Sequence, residues 1–500
     1  MTFALCLPLL TCSRRFDLDT LVMIIESSPT NLDPRVGLDA QSEDIDGLLF
    51  DNLLTRDDRL NVKPGLADRW EIPDPNTYIF HLHHGVQFCD GHAVTSRDVK
   101  WSFDSLLDNR IRSTKAATYR LVDSIEAPDE TTVIFHLREP WAGLLWNLAG
   151  GEGMGIVPYG SLGELSRHPI GSGPFCFVTA EQDRLVEIRR NERYWGGQAK
   201  LARVRFMVVP DITTRALELR KGSADIGLEL LRDTVVTLKR ESGLRVLDRP
   251  GTHVQYIGFN LRDPILKDVR VRQAIAYALD RDPLIQYIWR GFARPTASVL
   301  PPESWAYDSN VRQYAHDPAK ARALLDAAGY GQTNGVRFHL TMKTSTEESS
   351  RAMAAVFQQQ LREVGIALDI RSFEFATFFS DVSHGEFQVY SLRWVGGNED
   401  PEIFEYAFHS SKIIPHGANR QAYNNPRVDA LIDQARVELD QSARKRDYAA
   451  VQQILAEDLP YIDLWYFDNV MVHSKRVRNL ELNASGNYDF LKTAELDNTP

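Results

Sequence analysis

Arg393, Trp394, Gly396, Gly397, Asn398 and Asp400 stand within one short run that follows an apolar, strand-like segment at 387–392. In open α/β sheets ligands gather at the carboxyl ends of strands, and this run has what such a place needs. A guanidinium and an amide hydrogen-bond polar or anionic groups, an indole walls or stacks on a ligand, two glycines admit it to the backbone, and a carboxylate receives a cation. A tryptophan beside paired glycines at a strand end is poorly placed as core filler, so Trp394 is expected in the site. Asp400 has a second reading, as a cap beside Pro401. Glu26, just past strand-like 21–25, is the other candidate at the ligand cleft.

This is the chemistry of binding, and signatures of catalysis are missing. Residues 151–155 (GEGMG) resemble a phosphate-binding loop, but Ile156 replaces the third glycine and Pro158 blocks the helix that must follow. Gly171-Ser172-Gly173 lacks the spacing of a nucleophile elbow. There is no HExxH and no GxxxxGK[ST], so where ATP drives the protein's work another chain hydrolyses it. His81 and His83 lie two apart on a strand and share a face, as two metal ligands would; with His84 they form the one histidine cluster, and a third ligand of suitable spacing is lacking. No metal and no cofactor are expected.

The elements that must position the candidate loop read as alternating helix and strand in the second half of the chain, the pattern of an open α/β sheet. Asp317-Pro318 supplies an N-cap and a proline at the first helical position, Ala321, Leu324, Leu325 and Ala328 the buried face, and Gly329 the stop. Strand-like 336–342 follows, then a helix lined by Met353, Val356, Phe357, Leu361 and Val364, a strand at 366–370, and the strand that leads to Arg393. Asn425-Pro426 opens a further helix, Tyr448, Val451, Ile454 and Leu455 mark the last long one, and 464–467 returns as a strand. In the first half, strands are expected at 175–178, 185–189 and 204–209, and a helix at 213–221.

Five hundred residues exceed what one core organises, and about three domains is the expectation from length. A net charge of −11 without long acidic runs keeps the chain soluble and argues against nucleic acid, which needs a basic stripe. Four cysteines give no disulfide framework. Cys89 and Cys176 meet only if their segments are neighbours, and two small buried thiols are expected. Cys6 and Cys12 belong to an apolar leader too short to span a bilayer, which takes about 20 apolar residues. Leu9-Leu10-Thr11-Cys12 resembles a lipobox, so lipidation at Cys12 and simple signal cleavage stand side by side, with no Lys or Arg ahead of the apolar run.

Residues 63–103 (KPGLADRWEIPDPNTYIFHLHHGVQFCDGHAVTSRDVKWSF) carry the most specific pattern. Tyr78, Phe80 and Leu82 alternate with Ile79 and His81 in strand period, between turns at Asp74-Pro75-Asn76 and Gly85. Thr95 and Asp98 have capping-box spacing before the stripe Val99, Phe103, Leu106 and Leu107. The segment is similar to the one by which the extracellular solute-binding proteins of ABC importers for peptides, opines and nickel (family 5) are identified: GLA-x-x-W, TY-x-F-x-L, GV-x-F-x-DG and T-x-x-DV. Further matches follow in family order: PIGSGPF at 169–175, KGSADI at 221–226, YIGFN at 256–260, DVRVRQAIAYALDRD at 268–282 and DPAKARALLDAAGY at 317–330.

The resemblance implies a type II periplasmic-binding-protein fold of class α/β, with two lobes, a hinge and an inserted third domain. Carried onto this chain it places a leader at 1–15, the first lobe at 16–45, 166–254 and 465–500, the insertion at 46–165 and the second lobe at 255–464, with crossings near 255–260 and 464–467. It implies a monomeric receptor in the periplasm or cell envelope that holds a peptide-like or other small polar solute and delivers it to an ABC permease served by a separate ATPase; the alternative is a transporter-independent sensor or scavenger. The sequence departs from the family at three places. His83-His84 replaces the usual strand-end Arg or Lys, Cys89 stands where His is common, and Gly397 stands where peptide-binding members carry the Asp that pairs with the peptide α-ammonium. Loss of that charge-assisted hydrogen bond, on the order of 1.5–3 kcal/mol, argues against recognition of a free amino terminus at this position.

Overall fold

The computed structural model describes residues 19–150, 154–396 and 399–497. Among the described residues eleven strands form one mixed sheet. From one edge its order is Ile366–Phe373, Phe338–Ser345, Val389–Trp394, Leu244–Phe259, Tyr461–Ser474, Ile226–Gly227, Thr20–Ile25, Arg203–Val208, Leu185–Arg190 and Phe175–Glu181, with Ala293–Pro295 added beside Tyr461–Ser474.

The two longest strands, Leu244–Phe259 and Tyr461–Ser474, pair antiparallel and hold the sheet together. Their register is regular from Leu244↔Ser474 to Pro250↔Asp468, breaks, and resumes at Val254↔Tyr466. At the break Gly251 passes so close that a Cβ there would lie 2.5 Å from the Phe467 carbonyl oxygen. On one side of the break Tyr461–Ser474 pairs with Ile226–Gly227 through His473, and on the other Leu244–Phe259 pairs with Val389–Trp394. A second irregularity follows between Gln255 and Tyr256, opposite Trp465 and Asp463.

Separate hydrophobic cores flank the two halves. One half of the sheet is covered by Leu21, Leu48, Phe206, Tyr488 and their neighbours on one side and by Ile24, Val235, Leu238 and Val472 on the other. The other half packs Phe259, Ile275, Phe357 and Trp465 on one face, and Tyr256, Tyr390, Phe404 and Tyr448 on the opposite one.

A four-stranded antiparallel sheet, in the order Ala67–Asp74, Thr77–Leu82, Thr132–Leu137, Val122–Glu126, builds its own core with helix Ser96–Leu107. Tyr78, Phe80 and Leu82 are buried as the strand period requires, and Val99, Phe103 and Leu106 meet them from the helix. The backbone N–H of Thr95 donates to Asp98 Oδ2 at 2.7 Å, closing the capping box.

Two sequence expectations resolve here. Cys89 and Cys176 are not separate thiols: they form a disulfide with Cα atoms 5.8 Å apart. Their segments are neighbours because the glycines of 169–175 allow close packing; a Cβ on Gly171 would sit 1.9 Å from the Leu49 carbonyl oxygen. The Cys89 N–H then donates to the Gly171 carbonyl at 2.8 Å, which draws Cys89 against the strand that carries Cys176. Ser172, between those glycines, is structural: its hydroxyl donates to Asp51 Oδ2 at 2.9 Å, and Trp195 Nε1 and the Tyr194 hydroxyl bond the same carboxylate at 2.9 and 3.0 Å. Burial raises the Asp51 carboxyl above its ordinary pKa, opposed by these three bonds.

Candidate functional site

Beside the register break lies a cavity of about 560 Å³, within the size range of small-solute sites. Residues 467–470 of the long strand form its floor, and its walls come from three parts of the chain. Glu26, Asp44, Glu229, Arg232 and Tyr488 line one side, Arg56, Lys115, Trp146 and Asn147 another, and Arg393, Gly396, Glu399 and Asp400 a third. A second cavity, of about 40 Å³ near Leu279 and Phe408, is too small for a solute.

The sequence candidates divide by strand geometry. Strand Val389–Trp394 runs two residues past the end expected at Leu392, so Arg393 and Trp394 still alternate in direction. Arg393 faces the cavity, its guanidinium 4.4 Å from the centroid of the Phe467 ring. Trp394 faces the other way. Its indole stacks on Tyr256 at 6.0 Å and 20°, packs with the core around Phe404 and Tyr448, and meets the Arg420 guanidinium at 5.5 Å. The expectation that Trp394 is misplaced for packing is corrected by this run-on of the strand.

Gly396 (φ 68°) and Asp400 line the cavity. Asp400 is buried and caps the turn after Pro401, accepting the Glu402 N–H at 2.9 Å. Burial and then the neighbouring Glu402 push its carboxyl up. Glu26 lines the opposite wall, with one carboxylate oxygen 3.7 Å from Arg215 Nη2. Gly397, Asn398 and Cys12 lie outside the described residues. His81 and His83 serve locally: His81 Nε2 is 3.1 Å from Glu71 Oε1, and the His83 ring lies 4.6 Å from that of Trp195.

Much of the wall gave no local signal in the sequence. Arg56 reaches Glu399 at 2.6 Å, donates to the Gly150 carbonyl at 2.6 Å and lies 4.5 Å above the Trp146 ring, which joins the four-stranded region to the loop after Trp394. The joint is reinforced nearby, where Trp141 Nε1 donates to Glu402 Oε1 at 2.6 Å. Lys115 donates to the Pro34 carbonyl at 3.1 Å and sits 3.5 Å from Glu43. Arg232, at the start of helix Arg232–Leu238, donates to the Asp468 carbonyl at 3.3 Å.

Nine carboxylates and five Lys or Arg side chains line the cavity among the described residues, so its field is mixed with an acidic excess. Burial and then Glu43, Asp489 and Glu229 raise the Asp44 carboxyl well above its usual range. Asp46, buried on the same helix, has a carboxylate oxygen without a hydrogen-bond partner. His253 is held neutral, its pKa lowered to about 4 by burial and by Arg393. An arrangement of polar groups of both signs around open space is able to orient a polar guest.

Comparison with known proteins agrees with this geometry. The model of the bacterial extracellular solute-binding proteins, family 5 (middle), matches residues 61–415. The chain is similar to the dipeptide-binding protein of Escherichia coli K12, with 25% identity over 98% of this chain and 97% of that one. It is 30% identical to a putative ABC transporter peptide-binding protein of Brucella ovis over 86% of this chain and 84% of the relative. Among solved structures, HbpA2 of Haemophilus parasuis superposes with a TM-score of 0.85 at 26% identity, covering 96% of this chain and all (100%) of the other. The chain belongs to the bacterial extracellular solute-binding proteins, family 5.

Proposed function

We propose that this protein is the receptor of an ABC importer, which takes a small polar or peptide-like solute into the cavity beside residues 467–470 and presents it to a membrane permease served by a separate ATPase. The observation that carries the reading is the position of the cavity: Ile25 and Tyr488 of one core and Phe467 of another line it together with Arg393 and Asp400, so a guest there touches both halves of the sheet at once. The proposed lobes are 16–45, 166–254 and 465–500 for the first and 255–464 for the second, with 46–165 inserted. The two long strands are the waist about which they move.

Binding works by differential affinity. A solute that contacts both lobes only when they approach shifts the open and closed populations, and the closed face is what the permease reads. Arg393 and Asn398 hydrogen-bond the solute, Gly396 and Gly397 admit it to the backbone, and Glu26 and Asp400 set the polarity of opposite walls. Trp394 backs this wall by holding the strand that presents Arg393. The relatives named above carry dipeptide- and peptide-binding names, which supports a peptide-like cargo.

Placement outside the cytoplasm is supported by the Cys89–Cys176 disulfide, since such bonds persist in oxidising compartments. No helix among the described residues is long and apolar enough to cross a membrane, and a lipid on Cys12 is the proposed anchor. Native mass spectrometry of the protein purified from its own host tests the receptor reading. The expected result is a retained small molecule released on mild unfolding; a protein that is always empty, in extracts where its permease is expressed, contradicts it.

A further inference from the structure

Five cations line the cavity, and three of them are already neutralised: Arg56 by Glu399, Lys115 by Glu43 and Arg215 by Glu26. The remaining two, Arg232 and Arg393, form no ion pair among the described residues. They come from different cores. The helix of Arg232 packs through Val235 and Leu238 beside Ile24, whereas Arg393 lies in a strand whose Tyr390 and Trp394 pack with Tyr256. Both converge on consecutive residues of the waist, Arg393 over the Phe467 ring at 4.4 Å and Arg232 on the Asp468 carbonyl at 3.3 Å.

Resting on the receptor reading above, we propose that Arg232 and Arg393 are the two jaws of a clamp for a single carboxylate of the cargo, one jaw on each lobe. Two like charges that face a common space and form no ion pair there repel, and an anion placed between them replaces that repulsion with two charge-assisted hydrogen bonds. The exchange is complete only when both jaws reach the same group, so it favours the closed state. Burial and then Arg393 weaken the hold of Arg232 on its proton. Glu229 and Asp468 attract Arg232, and Glu229 and Glu347 attract Arg393, all from beyond ion-pair distance. The neutral His253 adds no charge at physiological pH. The acidic excess of the cavity disfavours a dianion, so the clamp takes a singly charged carboxylate rather than a phosphate.

The test offers the full-length protein four pools: random tripeptides with a free C-terminal carboxylate, the same library as C-terminal amides, and small solutes extracted from the host envelope, untreated and methyl-esterified. Retention is read by native mass spectrometry. Wild type is expected to keep solutes from the free-acid pools, and from the blocked pools at least 10-fold less, the factor a lost charge-assisted bond brings at about 1.4 kcal/mol per decade. Arg232→Gln and Arg393→Gln should each lower retention by about 10-fold or more. Their double variant should lose little beyond either, because one anion bridges both, and Arg393→Lys should recover part of the loss. Equal retention of free and blocked forms, or single variants that bind as wild type does, overturns the clamp while leaving the receptor intact. Retention from none of the four pools overturns the receptor reading and the clamp with it.

Discussion

Breaking the Cys89–Cys176 bond tests how firmly the four-stranded region is fastened to the main sheet, and with it the placement of Arg56, Lys115 and Trp146 in the cavity wall. The bonded cysteines are 87 residues apart in sequence. Closing a loop of that length in the unfolded chain removes an entropy worth about 4.6 kcal/mol at 25 °C in the chain-entropy model, and measured values fall mostly at about 2–4 kcal/mol. The folded state loses little when the sulfurs are parted, because Cys176 stays buried and the Cys89 N–H keeps its bond to the Gly171 carbonyl. The double variant Cys89→Ser, Cys176→Ser should therefore unfold in urea with a free energy lower by about 2–4 kcal/mol. The assay is reversible urea unfolding followed by tryptophan fluorescence, with the m value compared to confirm that the same surface is exposed. A difference below about 1 kcal/mol would refute the loop-closure argument. So would two thiols that react with a chromogenic disulfide reagent in native protein taken from its own compartment.

Trp394→Ala removes an indole packed on Tyr256 and Arg420, so it should cost roughly 2–4 kcal/mol of stability, read as a lower urea midpoint. Lost binding with unchanged stability would instead put the ring in the cavity. Asp468, which lines the cavity, has its pKa raised to about 6 by burial against the pull of Arg294. The folded state therefore holds this proton more tightly than the unfolded chain, so stability falls as pH climbs from about 4 through about 6. Asp468→Asn should flatten that part of the pH profile. An unaltered profile by thermal unfolding across that range contradicts the assignment.

Where structure was legible in the sequence, local physics decided it. The strand 77–82 and the cap at Thr95 are determined within a dozen residues by period and by side-chain to backbone bonding, and both stand as expected. The family match extended that local reading to the whole fold. The orientation of Trp394 is set by tertiary pairing instead. Its neighbours are legible, but whether a strand ends at Leu392 or two residues later is settled by pairing with Leu244–Phe259, and a shift of one residue reverses the face of every side chain. The disulfide depended on a glycine-mediated approach between 89 and 171 that no spacing rule expresses. Arg56, Arg232 and His253 enter the cavity from segments far apart in the chain, and each is locally an ordinary polar residue at a strand edge or helix start. Charge pairing across such distances is a tertiary property, and so is the exception on which the clamp rests: two cavity cations that form no ion pair among the described residues.

The central claim is that a guest in this cavity draws two lobes together about the break at 250–254. Small-angle X-ray scattering of the protein, empty and then saturated with the cargo released from native preparations, tests it most directly. The account predicts a smaller radius of gyration and a shorter maximum dimension on saturation, with both changes abolished in the Arg232→Gln, Arg393→Gln double variant. Superimposable scattering curves at a cargo concentration shown by mass spectrometry to fill the site would contradict it.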